Sequence, residues 1–190
     1  MKGTGALKER VVMDEKGIER AIARIAHEVL ERNGGSHAFV ILGVPTIGNE
    51  LALRLAKRIE QIVGVSVPTG AVDATLYRDD LAIMKETPAL KKMDIPIDVD
   101  SRVVVIVDDV LFTGRTVRAA MNALMDFGRP HAIQLAVLID RGHRELPIKA
   151  DYVGKNIPTS MVEGVKVNLK EHDGVNSVVV GTRGAEATDE

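Results

Sequence analysis

The stretch 103–116 reads Val-Val-Val-Ile-Val-Asp-Asp-Val-Leu-Phe-Thr-Gly-Arg-Thr, and it concentrates residue types that can do chemistry. Five apolar residues, 103–107, read as a buried strand. Two adjacent carboxylates follow, Asp108 and Asp109, then a short loop carrying Thr113, Gly114 and Thr116, then a helix from about residue 117. In an open α/β sheet, ligands bind beyond the carboxyl ends of the strands. A loop that feeds a helix N-terminus presents free N–H groups and the positive end of the dipole, which suits a phosphate. Thr113 and Thr116 add hydroxyl donors, and Gly114 lets the backbone approach an anion closely. The carboxylates suit another task, accepting hydrogen bonds from sugar hydroxyls or holding a hydrated cation. Carboxylates for a ribose and amides for a phosphate together describe a site for a phosphorylated sugar.

The elements that must position this stretch are legible in the periodicity. Ile18, Ile22, Ile25 and Val29 form one apolar helical stripe behind an N-cap at Asp14, and Asn33-Gly34-Gly35 stops that helix. Residues 38–42 read as a strand, 43–48 as a tight loop, and Leu51, Leu55, Ile59 and Ile62 as a second amphipathic helix ending near Gly64. Residues 65–77 alternate in part and read as a strand. The charged excursion 78–100 has Pro88 and Pro96 and no clear period, the mark of a functional flap or a disordered segment. Later strands are expected at 133–139, 152–153, 165–169 and 178–180. Strands alternating with helices call for an α/β domain with a mostly parallel sheet. One domain over 1–180 and a fraying tail over 181–190 complete the expected organisation.

Composition excludes several classes. With 190 residues the chain suits one globular domain. Lys+Arg 25 against Asp+Glu 27 gives a net charge of −2, so any nucleic-acid contact must come from a local basic patch. The absence of cysteine removes disulfide scaffolds, thiolate metal sites and thiol catalysis. No apolar run reaches the roughly 20 residues of a membrane helix, and the charged residues 1–10 are no signal peptide; the chain is expected to be cytoplasmic. The sequence carries no GxxxxGK[ST], GxGxxG after a strand, GxSxG or HExxH.

Longer runs narrow the reading. Residues 103–116 resemble the phosphoribosyl-pyrophosphate (PRPP) signature of type I phosphoribosyltransferases. With Arg-Ile-Ala-His-Glu at 24–28, Thr-Leu-Tyr-Arg-Asp-Asp-Leu at 75–81, Asp-Arg-Gly-His-Arg-Glu-Leu-Pro at 140–147 and Tyr-Val-Gly-Lys-Asn-Ile-Pro-Thr at 152–159, the chain resembles the PyrR family over roughly 12–180. That family comprises bifunctional attenuation regulators of pyrimidine operons that also act as uracil phosphoribosyltransferases. The resemblance implies a type I phosphoribosyltransferase fold: a mostly parallel sheet flanked by helices, with a small hood or flap. It implies transfer of ribose 5-phosphate from PRPP, which carries Mg²⁺ rather than leaving it to a protein metal site, to uracil, giving UMP and pyrophosphate. Asp108 and Asp109 would hold the ribose hydroxyls. Val110, Leu111, Phe112, Thr113, Gly114, Arg115 and Thr116 would cradle the 5-phosphate. Arg78 would reach the pyrophosphate, and Arg141 and Ile157 would line the uracil side. The first loop departs from the family pattern. Thr46 and Gly48 remain, but Ile47 stands where relatives carry an arginine, and an aliphatic side chain cannot pair with pyrophosphate. Weaker PRPP binding or slower transfer is expected, and a regulator that senses UMP with reduced or lost transferase activity is the alternative.

The resemblance also implies binding of structured leader mRNA from a pyrimidine operon, and assembly as a homodimer or higher homo-oligomer. Arg20, Arg24 and His27 lie at i, i+4 and i+7 on the first helix, and Arg141, Arg144 and Lys149 form a second basic cluster. Interleaved Glu28 and Glu31 equally describe an ordinary solvated face. Ala23 stands where many relatives have a threonine.

Overall fold

The computed structural model describes residues 9–35, 39–74, 77, 95 and 98–182. In chain order the elements are β1 (Arg10–Met13), α1 (Glu15–Asn33), β2 (Phe39–Gly43), α2 (Ile47–Val63), β3 (Thr69–Ala71), β4 (Val103–Leu111), α3 (Arg115–Phe127), β5 (Ala132–Asp140), β6 (Tyr152–Asn156), β7 (Glu163–Asn168), α4 (Lys170–Asp173) and β8 (Ser177–Thr182). The local signals act where expected. Asp14 Oδ1 accepts the Gly17 N–H at 2.8 Å to start α1, and Gly34, at φ 67°, closes it.

Five strands form a parallel sheet in the order β3-β2-β4-β5-β6. Both faces of its centre are covered, which explains the unbroken apolar runs in β2 and β4. Phe39, Ile41, Val105, Val107, Ala136 and Leu138 face the stripes of α1 and α2. Their alternates Val40, Leu42, Val104, Ile106, Leu135 and Val137 face Val117, Ala120 and Leu124 of α3. From β2 the chain winds through α2 to β3 on one side. It then re-enters at β4 on β2's other side, so the order reverses between β2 and β4. That reversal leaves a crevice at their carboxyl ends.

A second sheet, antiparallel in the order β1-β8-β7, makes the hood. Val167, Leu169, Val178 and Val180 join the core on the α1–α2 side.

Several boundaries differ from the sequence reading: β6 runs on to Asn156 rather than ending at 153, and β7 spans Glu163–Asn168 rather than 165–169. β4 does not end at Val107. Asp108, Val110 and Leu111 stay in register with Val137, Ile139 and Asp140 of β5, so the acidic pair belongs to a strand and not a loop. α3 starts at Arg115 rather than 117. The strand expected over 65–77 contracts to Thr69–Ala71, an edge strand paired only with β2. Gly181 and Thr182 belong to β8. Most of the 78–100 excursion, Arg78 included, and residues 183–190 lie outside the described residues. Among the described residues no helix is long and apolar enough to cross a membrane.

Candidate functional site

The acidic pair sits where β4 emerges from the sheet. Asp108 is only 6 % exposed. Its Oδ1 accepts the Asp109 N–H at 2.9 Å, and Asp109 Oδ1 accepts the Val110 N–H at 2.8 Å. Burial pushes the Asp108 carboxyl well above the ordinary carboxylate range, and the neighbouring Asp109 adds to the rise. Burial also raises Asp109. Neither carboxylate has a cationic side chain paired with it among the described residues. A half-satisfied buried acid of this kind is completed by hydroxyl donors or by a cation that arrives with a ligand.

Beyond β4, Phe112, Thr113 and Gly114 turn the chain into α3. Gly114 adopts φ 92°, which a side chain would resist, and a Cβ there would meet Ile148 Cβ at 3.3 Å. Thr113 O accepts N–H donors from Glu145 (3.0 Å) and Leu146 (3.2 Å). Across the turn, Arg115 pairs with Glu145 at 2.6 Å. Gly114 at the N-cap brings no side-chain cap and the first turn has no acid; the Arg115 N–H donates to Thr113 Oγ1 at 3.4 Å. The amides beyond it and the dipole's positive end remain for an anion.

The 44–48 loop closes the crevice from β2. Its Pro45–Thr46 peptide is cis. Val44 N donates to Val107 O at 2.9 Å. A Cβ on Gly48 would stand 2.6 Å from that same carbonyl oxygen and 3.3 Å from Asp108 Cα, so only glycine allows this approach. Thr46 is exposed beside the loop. Ile47 is half-buried and packs onto the core of the α1–α2 face.

On the other flank, Arg141, which the sequence reading set with Ile157 on the uracil side, meets Phe112, which it had set in the phosphate cradle. The Arg141 guanidinium lies over the Phe112 ring, 4.1 Å from its centroid. It donates to Thr159 Oγ1 (3.0 Å), Ser160 O (3.1 Å) and Glu163 O (2.6 Å). Ile157 N donates to Asp140 O at 2.9 Å, which carries the parallel pairing one residue past β6. Sequence reasoning missed His143 and Thr159. His143, at φ 60°, meets the Phe112 ring edge-on and its Nε2 lies 2.6 Å from Thr159 O. The traces of this in the sequence were the His of the 140–147 run and the Thr that ends the 152–159 run.

The basic residues do not form the two patches expected. Arg141 is 5 % exposed, so its grouping with outward-facing RNA contacts gives way to an internal role. Arg144 is corrected likewise. Its guanidinium donates to Phe112 O, Gly142 O and Ile148 O and pairs with Asp140, bracing the turn between β4 and α3. Lys149 is left exposed without them. On α1, Arg20 and His27 are exposed, whereas Arg24 donates to Val153 O and Gly154 O at the edge of β6 and pairs with Glu28. No group of three metal-ligating side chains occurs among the described residues.

A parallel sheet with an acidic strand end facing an uncapped, glycine-led helix start defines the type I phosphoribosyltransferase class. The sequence matches the phosphoribosyl transferase domain family over residues 12–172. Solved structures of that fold superpose well at low identity. The hypoxanthine-guanine phosphoribosyltransferase of Bacillus anthracis gives a TM-score of 0.70 at 18 % identity, covering 93 % of this chain and 99 % of that one. The hypoxanthine phosphoribosyltransferase of Trypanosoma cruzi gives 0.69 at 19 %, covering 91 % and 96 %. Curated relatives are much nearer. The bifunctional protein PyrR of Thermoanaerobacter sp. (strain X514) is 60 % identical over 169 residues, 89 % of this chain and 95 % of the relative. That of Halalkalibacterium halodurans is 56 % identical over 173 residues, 90 % and 96 %. The chain belongs to the PyrR family.

Proposed function

We propose that the protein is a uridine-nucleotide-responsive, RNA-binding regulator that attenuates transcription of a pyrimidine biosynthesis operon, and that it transfers phosphoribose from PRPP to uracil, releasing pyrophosphate and UMP. Membership of the PyrR family supports both halves. The observation that carries the transferase half is the buried Asp108 beside the half-buried Asp109, without a cationic partner among the described residues, on the strand that leads into α3. Asp108 and Asp109 accept the ribose hydroxyls. The loop from Val110 to Thr116 and the first amides of α3 hold the 5-phosphate. Arg141, Phe112 and Ile157 shape the base side. Mg²⁺ arrives with PRPP, and when bound it neutralises charge on the pyrophosphate; the two acids, short of cations, are a fitting place for its hydration shell. The C1′–pyrophosphate bond weakens as positive charge grows on the ribose, and the carboxylates stabilise that charge from below. Arg78 is assigned to the departing pyrophosphate. We place the protein in the cytoplasm, as a homo-oligomer of a single domain.

Ile47 supports a second reading. Its side chain packs onto the core where the family pattern puts a cation for pyrophosphate. A protein of this kind retains UMP sensing while transferring slowly. Labelled uracil with PRPP and Mg²⁺ tests the first reading by the appearance of UMP. A gel shift with a structured leader hairpin, with and without UMP, tests regulation. UMP-dependent RNA binding without turnover selects the second reading, and neither activity refutes both.

A further inference from the structure

Arg20 stands on a ridge. On one side lies the cleft against β1 and β6; on the other is an open groove of about 530 Å³ between α1 and α2. Arg20 faces Arg54, Lys57 and Arg58 across that groove, with Ala23 on its floor and Glu19 as its one lining carboxylate. Arg54 is tied to Glu171 and Asn176. Among the described residues Arg58 reaches only Gln61, at 3.2 Å. Arg20 and Lys57 have no partner among the described residues, and Arg20, Lys57 and Arg58 are all exposed. With Arg54 paired to Glu171, the groove is left with three exposed cations, Lys57 and Arg58 on α2 and Arg20 on α1, a charge pattern complementary to an extended anion running along it.

We infer that this groove is a phosphate track which carries bound RNA across the α1–α2 face, with Arg20, Lys57 and Arg58 as its backbone contacts. The inference rests on the RNA-binding reading above and names a surface for it. Arg24, the other exposed arginine of α1's basic row, is already spent on the β6 carbonyls and Glu28, which leaves Arg20 to hand the strand toward α2. A protein partner suits the groove poorly. Of its apolar lining, Ile22 is already buried and Ala23 is small, so little apolar area is left to cover. Exposed cations with long flexible stems are instead the means by which proteins neutralise phosphates without reading sequence.

The test uses a structured leader hairpin RNA with UMP present, titrated between 50 and 200 mM salt. Lys57→Gln with Arg58→Gln should weaken binding about tenfold at 100 mM salt and flatten the slope of log K against log salt by roughly 1.4, two contacts' worth. The charge-keeping pair Lys57→Arg with Arg58→Lys should bind as the parent does, and UMP synthesis should be unchanged in both. Parental affinity and slope in the Gln pair overturn the track. So does a changed oligomeric mass with an unchanged slope, which makes the groove a contact between copies. A parent protein that binds no RNA at 50 mM salt instead brings down the RNA-binding reading itself.

Discussion

Gly48 locks the first loop onto the acidic strand, and Gly48→Ala should break that lock. A Cβ there would sit 2.6 Å from Val107 O, and real Cβ atoms essentially never come within 3.0 Å of a neighbour, so the two backbones must part by at least 0.4 Å. Neither side yields easily. Val107 O already accepts Val44 N–H at 2.9 Å, and Asp108 Cα lies 3.3 Å from the same Cβ position. Overpacking of this kind costs about 1–3 kcal/mol. For a domain of this size that lowers Tm by roughly 3–10 °C. The displacement falls one peptide from Asp108, so KM for PRPP should rise several-fold while the oligomeric state is kept. Differential scanning calorimetry and initial-rate kinetics with varied PRPP read both effects. Gly181→Ala is the control, because its Cβ would meet Glu9 Cγ at 3.0 Å, on a flexible side chain that can move. If Gly48→Ala melts and binds PRPP as Gly181→Ala does, close backbone approach is not what glycine provides at this position.

Asp108 carries a raised carboxyl pKa in the folded state, so the fold binds a proton more tightly than the unfolded chain and loses stability as pH rises through the ordinary carboxylate value. Asp108→Asn should therefore raise Tm at pH 7 by at least about 2 °C, lose that gain below about pH 4, and abolish UMP formation; a gain that is the same at both pH values refutes the charge argument. Arg144→Ala removes three carbonyl contacts and an ion pair from the turn between β4 and α3, and should cost about 2–3 kcal/mol in urea unfolding; no loss means the brace is idle. Ile47→Arg should raise kcat/KM for PRPP about tenfold, the worth of one charge-assisted contact, at a small cost in Tm from the vacated core; unchanged kcat/KM refutes the assignment of Ile47 as the missing cation. Arg141→Lys loses the fork and the stack on Phe112, and should raise KM for uracil more than KM for PRPP; equal rises place Arg141 elsewhere.

The helices and central strands were legible because burial leaves a period in the sequence. Ile18, Ile22, Ile25 and Val29 sit every third or fourth residue, and 103–107 is apolar throughout because both faces of β4 are covered. The acidic pair was legible as chemistry but not as structure. Two aspartates look like a turn, and it is the pairing of Asp108, Val110 and Leu111 with Val137, Ile139 and Asp140 that keeps them in a strand. Arg141 and Arg144 looked like surface cations because nothing local reveals that their partners are Thr159 and Glu163 for one, and Phe112 and Ile148 for the other. Charge in a sequence marks what a side chain offers, while the fold decides whether that offer is already taken.

The hood joins regions far apart in the chain, since Arg10 lies beside Val180 and Val11 beside Val179. β1 is therefore without this neighbour until β8 has been made, and a chain stopped just before Ser177 would lack both that pairing and the Val178 and Val180 side chains that join the core on the α1–α2 side.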